Sequence, residues 1–131
     1  MDNNKLLISV GMPAYNSELD IRDAIESILN QTYTHFELII SDNASTDSTQ
    51  SICQEYASKD SRIKYIRNDE NIGAADNYNA VFKLSKGKYF KWASSNDYCA
   101  PSFLEQCINT LEMNPDAVLV SPRTRLYSKN I

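Results

Sequence analysis

Ser94, Ser95, Asn96 and Asp97 stand together where the apolar run YFKWA stops. Two hydroxyls, an amide oxygen and a carboxylate form an oxygen-rich cluster, the type that meets a hard divalent cation or a phosphate. Its charge is thin. Asp97 is the only anion of the four, and an amide keeps one oxygen of a carboxylate without the charge that offsets desolvation. Serine catalysis has no support, because the single His35, in the stretch TYTHF, lies far away in sequence and nothing nearby can activate a hydroxyl.

Three other polar clusters share this setting: PAYN at 13–16, DNASTD at 42–47 and RNDENIG at 67–73. PAYN holds no glycine, and neither G-x-G-x-x-G nor G-x-x-x-x-G-K-[ST] occurs in the chain. Dinucleotide and P-loop phosphate cradles need those glycines for close backbone approach. A tyrosine and a carboxylate stand out instead. Tyr15 offers a ring for a base to stack on, and Asp42 can accept a hydrogen bond from a base N–H. That pairing suits a nucleoside better than a pyrophosphate cradle.

The elements that position these clusters follow from hydrophobic pattern. LLISVGM (6–12), FELIIS (36–41), KYFKWA (88–93) and AVLVS (117–121) read as buried strands, and RIKYI (62–66) as a strand nearer an edge. Between them lie helical patterns. Ile21, Ala24, Ile25, Ile28 and Leu29 recur at helical spacing, as do Ile52, Tyr56 and Ala57 after an N-cap at Asp47 with Gln50 three residues on. A helix over 74–85 places Tyr78, Val81 and Phe82 on one face. Another opens at Pro101, where the missing N–H costs nothing, and buries Leu104, Cys107, Ile108 and Leu111. Trp92 reads as core, His35 as surface and the cysteines as small buried apolar residues. Strand and helix alternate throughout, which predicts an α/β domain: a mainly parallel sheet with helices on both faces. Each polar cluster then follows a strand, so all four fall on the carboxyl rim where such sheets bind ligands.

Composition narrows the class. The 131 residues are 42% apolar and 23% charged, with 3 Gly and 4 Pro, as expected for a single globular domain over 1–131. A net charge of -4 with scattered Lys and Arg argues against a nucleic-acid partner. Cys53, Cys99 and Cys107 form no C-x-x-C pair and are too sparse for zinc, which fits a reducing, cytoplasmic setting. No signal-peptide pattern opens the chain, and no apolar run approaches the roughly 20 residues that span a bilayer.

In order, SVGMPAYN, then AIESILNQTYTHFELIISDNASTDST, then NIGAADNYNAVFKLSKGKYFKWASSNDYCAP resemble the family 2 glycosyltransferases of the GT-A (Rossmann-like) fold, over about residues 8–111. The resemblance implies transfer of a sugar, with inversion, from a nucleotide-diphosphate donor to a glycan or lipid-linked acceptor. A UDP-sugar is favoured, and the full protein would dock peripherally at a membrane. It implies nucleoside contacts at Pro13, Tyr15 and Asn16, a uracil-reading acid at Asp42, and a ribose–diphosphate loop at Asn71 and Gly73, with Ser95 beside the nucleotide. A Mn or Mg ion would bridge the diphosphate and an Asp-x-Asp motif. Those two motif positions are Ser94 and Asn96 here, which leaves Asn96 and Asp97 as the expected metal residues. The family's general base and acceptor pocket lie downstream of the matched segment. The chain is therefore expected to be a donor-binding part, incomplete at its C-terminus and inactive alone. The alternative is a nucleotide-binding half-domain with no transferase activity of its own.

Overall fold

A computed structural model describes residues 7–126. Four parallel strands, β1 (Ile8–Ala14), β2 (Phe36–Asp42), β3 (Ile63–Arg67) and β4 (Tyr89–Trp92), form one sheet in the order β3-β2-β1-β4. They alternate with α1 (Ile21–Leu29), α2 (Thr49–Lys59), α3 (Ala74–Lys83) and α4 (Phe103–Met113). In the central pair the register runs from Ile8 opposite Phe36 to Ala14 opposite Asp42, so β1 and β2 end level.

The period of two along each strand divides the sheet into two faces. Ile8, Val10, Met12, Phe36, Leu38 and Ile40 share one core with Ile21, Ile25 and Ile28 of α1, Ile52 and Cys53 of α2, and Leu104 and Ile108 of α4. Each fully buried aliphatic side chain there is worth about 1.5–3 kcal/mol. Ile39 and Val81 are buried outside that cluster, because the alternate residues of the strands meet α3 on the opposite face. Gly11 permits this approach: a Cβ on it would lie 2.7 Å from Val81 Cγ2 and 2.8 Å from Phe90 Cζ. Helices thus cover both faces, as the sequence predicts.

Three details differ from the sequence reading. Residues 117–121 form no strand, and Val118 and Leu119 are 98% and 77% exposed. A strand exists only through a partner's backbone groups, and among the described residues none pairs with this segment. Trp92 is exposed rather than core, because β4 is a sheet edge and its indole packs outside, against Tyr78, Phe82 and Phe90. Finally, α4 begins at Phe103 with Pro101 in the preceding turn, and Cys107 and Leu111 are only half-buried. Gln31 ties that turn to α1: its Nε2 donates to Ala100 O at 2.7 Å while its Oε1 accepts from Leu104 N–H at 3.0 Å.

Candidate functional site

From β1 the chain passes to β2 and β3 on one side, and β4 lies on the other. Beyond the carboxyl ends at this reversal a crevice is left for a ligand. The turn after β1 is held by Asn16, which adopts φ 46°, a left-handed conformation that asparagine tolerates better than most residues. The Asn16 N–H donates to Ser45 Oγ at 2.9 Å, and its Oδ1 accepts from Thr46 N–H at 2.8 Å. The next residue links two more segments. Ser17 N–H donates to Thr49 Oγ1 at 2.8 Å, and the Ser17 and Ser95 hydroxyls bond at 2.7 Å. The N-cap of α2 is Ser48 rather than Asp47; Asp47, one residue earlier, accepts from the first helical N–H, Thr49, at 2.9 Å.

On the α3 side of the β1 and β2 ends a cleft of about 330 Å³ opens, lined by Pro13, Ala14, Tyr15, Asn43, Asn71, Ala74, Asn77 and Tyr78. Along it runs an amide network in which Asn43 and Asn77 are buried, Asn68 half-buried and Asn71 exposed. Asn43 Oδ1 accepts from Asn68 Nδ2 at 3.0 Å and Ile72 N–H at 2.9 Å, while its Nδ2 donates to Asn71 Oδ1 at 2.8 Å and Gly73 O at 3.3 Å. Asn77 Nδ2 donates to Ser41 O at 2.9 Å. Gly73, at φ 85°, turns the loop into α3; empty space surrounds it, so backbone conformation alone calls for glycine.

Asp42 is fully buried and does not line this cleft. Its Oδ2 accepts from Tyr65 OH and Arg67 Nη1, both at 2.8 Å, and its Oδ1 from Ser45 N–H at 2.9 Å. Burial, and then the bond to Asp42, push the Tyr65 phenol well above the ordinary tyrosine range. Strand alternation explains the placement. Leu38, Ile40 and Asp42 face α1 and α2, whereas Ile39, Ser41 and then Asn43 face α3. The sequence reading passed over Asn43, Ala74, Asn77 and Tyr78. Period-two counting from the buried Leu38 would have singled out Asn43, and a start of α3 at Ala74 puts Asn77 and Tyr78 one turn in.

After β4 the Ser94 hydroxyl donates to Asn96 Oδ1, and Asp97 N–H donates to Ser94 O at 3.3 Å. Asn96 and Asp97 are exposed on the rim. Among the described residues no group of three or more His, Cys, Asp or Glu is placed to hold a metal. One carboxylate and one amide oxygen do not make a protein cage. They fit only a cation that brings most of its oxygen ligands with it, as magnesium does when bound mainly through substrate phosphates. Of the residues singled out by sequence, then, Pro13, Tyr15 and Asn71 share the cleft. Gly73 O accepts from the lining residue Asn43, Asn16 and Ser95 are hydrogen-bonded to Ser45 and Ser17 outside the lining, and Asp42 is buried apart from it.

Comparison with known proteins gives this arrangement a context. An uncharacterized glycosyltransferase of Haemophilus influenzae is 40% identical over 108 residues, 82% of this chain and 33% of that protein. An Escherichia coli protein, UDP-Glc:alpha-D-GlcNAc-diphosphoundecaprenol beta-1,3-glucosyltransferase WfaP, is 39% identical over 81% of this chain and 41% of its own length. The crystal structure of S. aureus TarS 1-349 in complex with UDP-GlcNAc superposes with TM-score 0.78 at 26% identity, covering 84% of this chain and 32% of that one. The chain thus spans about a third to two-fifths of the proteins it matches. The family profile described as Glycosyl transferase family 2 matches residues 9–130, and the chain belongs to that family.

Proposed function

We propose that residues 1–131 form the donor-binding part of an enzyme that moves a sugar from a nucleotide diphosphate, with UDP favoured, to a glycan or lipid-linked acceptor with inversion. The observation that carries this reading is the cleft at the β1–β4 reversal, with Tyr15 and Tyr78 on its walls and an amide network along it. Relatives that match the same segment support it: TarS was crystallised with UDP-GlcNAc, and WfaP is named for a UDP-Glc donor and a lipid-linked acceptor.

In this reading the base and ribose lie against Pro13, Tyr15 and Asn71. The diphosphate extends toward Ser95 and the rim after β4. Asn16 and Gly73 shape the two loops, and Asp42 holds the ends of β2 and β3 in place. Asn96 and Asp97 would hold a Mg or Mn ion arriving on the diphosphate. Such an ion, when bound, offsets charge on the leaving nucleotide. An inverting transfer also needs a base to deprotonate the acceptor. We place that base, and the acceptor pocket, outside residues 1–131, so this segment alone binds donor and transfers nothing. A lipid-linked acceptor would bring the whole protein to the cytoplasmic membrane surface. Among the described residues no helix is long and apolar enough to cross a bilayer.

Calorimetric titration of UDP into the chain, with and without manganese, tests the reading. Binding that weakens about tenfold or more in Tyr15→Ala, a stacking loss of the ordinary size, supports it. Tighter binding with manganese that disappears in Asp97→Ala supports the rim assignment. Absence of UDP binding under both conditions would remove the donor-site proposal.

A further inference from the structure

Asn96 and Asp97 are exposed, and among the described residues no hydrogen bond from another element reaches either of them. Their contacts are local: Ser94 Oγ donates to Asn96 Oδ1, and Asp97 N–H donates to Ser94 O. Where these two side chains stand is therefore decided by what holds the chain on either side. Upstream the hold is the sheet, since Ala93 N–H donates to Gly11 O at 2.8 Å. Downstream it is α1.

Asp23, Ser27 and Gln31 recur every four residues, so they form one line along α1, the last just past its end. The loop after β4 meets that line in sequence order. Tyr98 OH donates to Asp23 Oδ2 at 3.0 Å, Cys99 N–H donates to Ser27 Oγ at 3.2 Å, and Ala100 O accepts from Gln31 Nε2 at 2.7 Å. Ser17, in the turn before α1, adds the bond to Ser95. Gln31 holds most. It is only 3% exposed; its Nε2 also donates to Ser27 O at 3.0 Å, and its Oε1 accepts from Leu104 N–H at 3.0 Å. A buried amide is costly unless its groups are bonded, so these contacts fix both ends of the 100–104 turn against α1. None of Asp23, Ser27 and Gln31 lines the cleft.

Thin charge makes this hold matter. One carboxylate and one amide oxygen offer an ion little attraction, and a loose loop would spend that gain on ordering itself. We infer that the Asp23–Ser27–Gln31 line is a positioning device for the rim after β4. It keeps Asn96 and Asp97 where an ion arriving on a nucleotide diphosphate can use them. This rests on the donor-site reading given above and adds to it three residues that touch neither nucleotide nor ion.

The test is calorimetric titration of UDP, with and without manganese, into wild type and Gln31→Leu, which keeps bulk but removes the amide's hydrogen bonds. The gain in UDP affinity that manganese brings should fall about tenfold or more, the usual loss when a group that orients metal ligands is removed. UDP affinity without metal should stay within about twofold, as for a change that shares no partners with the cleft. A purely structural role would weaken both alike or neither. Tyr98→Phe and Ser27→Ala each remove one bond from the same line, and serve if Gln31→Leu does not fold. Each should lower the manganese gain about threefold, the worth of one hydrogen bond. An unchanged manganese gain in the folded variants, or equal losses with and without metal, would overturn the positioning role and leave the donor site standing. Manganese without effect on wild type would overturn the rim assignment and this role together, leaving the nucleotide cleft. Absence of UDP binding under both conditions would overturn the donor-site reading itself, and this role with it.

Discussion

Gly11→Ala should act on the cleft from beneath the sheet. The added Cβ meets Val81 Cγ2 at 2.7 Å, Phe90 Cζ at 2.8 Å and Val81 Cβ at 2.9 Å, well inside contact distance. Val81 is fully buried and β-branched, so its single favoured helical rotamer cannot swing away. The strain must appear as displacement of α3 from β1, at a cost of about 1–3 kcal/mol. Val81→Ala alone loses two methyl groups of burial and leaves a cavity, costing about 2–3 kcal/mol. Together the two substitutions relieve each other in part: the 2.7 Å contact with Val81 Cγ2 disappears and the new methyl fills some of the vacated space, while the contacts with Phe90 Cζ and the Cβ of residue 81 remain. The double variant should therefore be more stable than the sum of the singles by at least about 1 kcal/mol. Urea unfolding midpoints at unchanged slope read this directly. Because α3 carries Asn77 and Tyr78 on the cleft, UDP binding should weaken in Gly11→Ala and recover in part in the double variant. Additive stabilities, or a neutral Gly11→Ala, would refute the claim that β1–α3 contact at Gly11 sets the cleft.

Other perturbations follow the same logic. Asp42→Asn leaves Arg67 without its anion; since the Arg67 side chain is 32% exposed while Asp42 is fully buried, the cost should be about 2–3 kcal/mol in chemical denaturation, below that of a fully buried pair. Ala44 holds φ 59°, so Ala44→Gly should gain about 0.5–1 kcal/mol, seen as a higher thermal midpoint. Burial, reinforced by the charges of Asp42 and Asp47, pushes the Cys53 thiol from 9.0 up to about 12. The unfolded chain gives up that proton first, so the Cys53 contribution is complete below pH 9 and is lost as pH rises toward 12. Wild type should lose stability across that window faster than Cys53→Ala, and native Cys53 should resist alkylation at pH 8.

Much of the architecture was legible because apolar period and polar punctuation agreed. LLISVGM before a proline, FELIIS before DNASTD and the Ile21–Ile28 stripe each specify one element. The segment AVLVS was not legible in this way. Its residues have strand character, yet strand formation depends on a partner that composition cannot reveal. Trp92 failed similarly: its position along β4 was readable, but not that β4 would lie at an edge. At the site, the rim was predictable from topology, and the residue types at Tyr15 and Asn71 drew attention. The sequence reading favoured Asp42 for its charge, whereas the pleat directs its carboxylate away from the cleft lining and turns Asn43 toward it. The asparagine network was beyond sequence reasoning, since it joins residues from β2, the 68–73 loop and α3 by hydrogen bonds that span up to 36 positions.

The protein has one tryptophan, and the fold attaches it to the cleft wall. The Trp92 indole N–H donates to the carbonyl of Tyr78 at 3.1 Å, and the two rings lie 6.4 Å apart. Tyr78 lines the cleft, while Trp92 is 46% exposed and so emits from a partly aqueous environment. Any base that stacks on Tyr78 reaches the only indole within one ring's distance, and its arrival should quench or shift that emission. Occupancy of the cleft is thus written into the protein's own fluorescence, with no label attached.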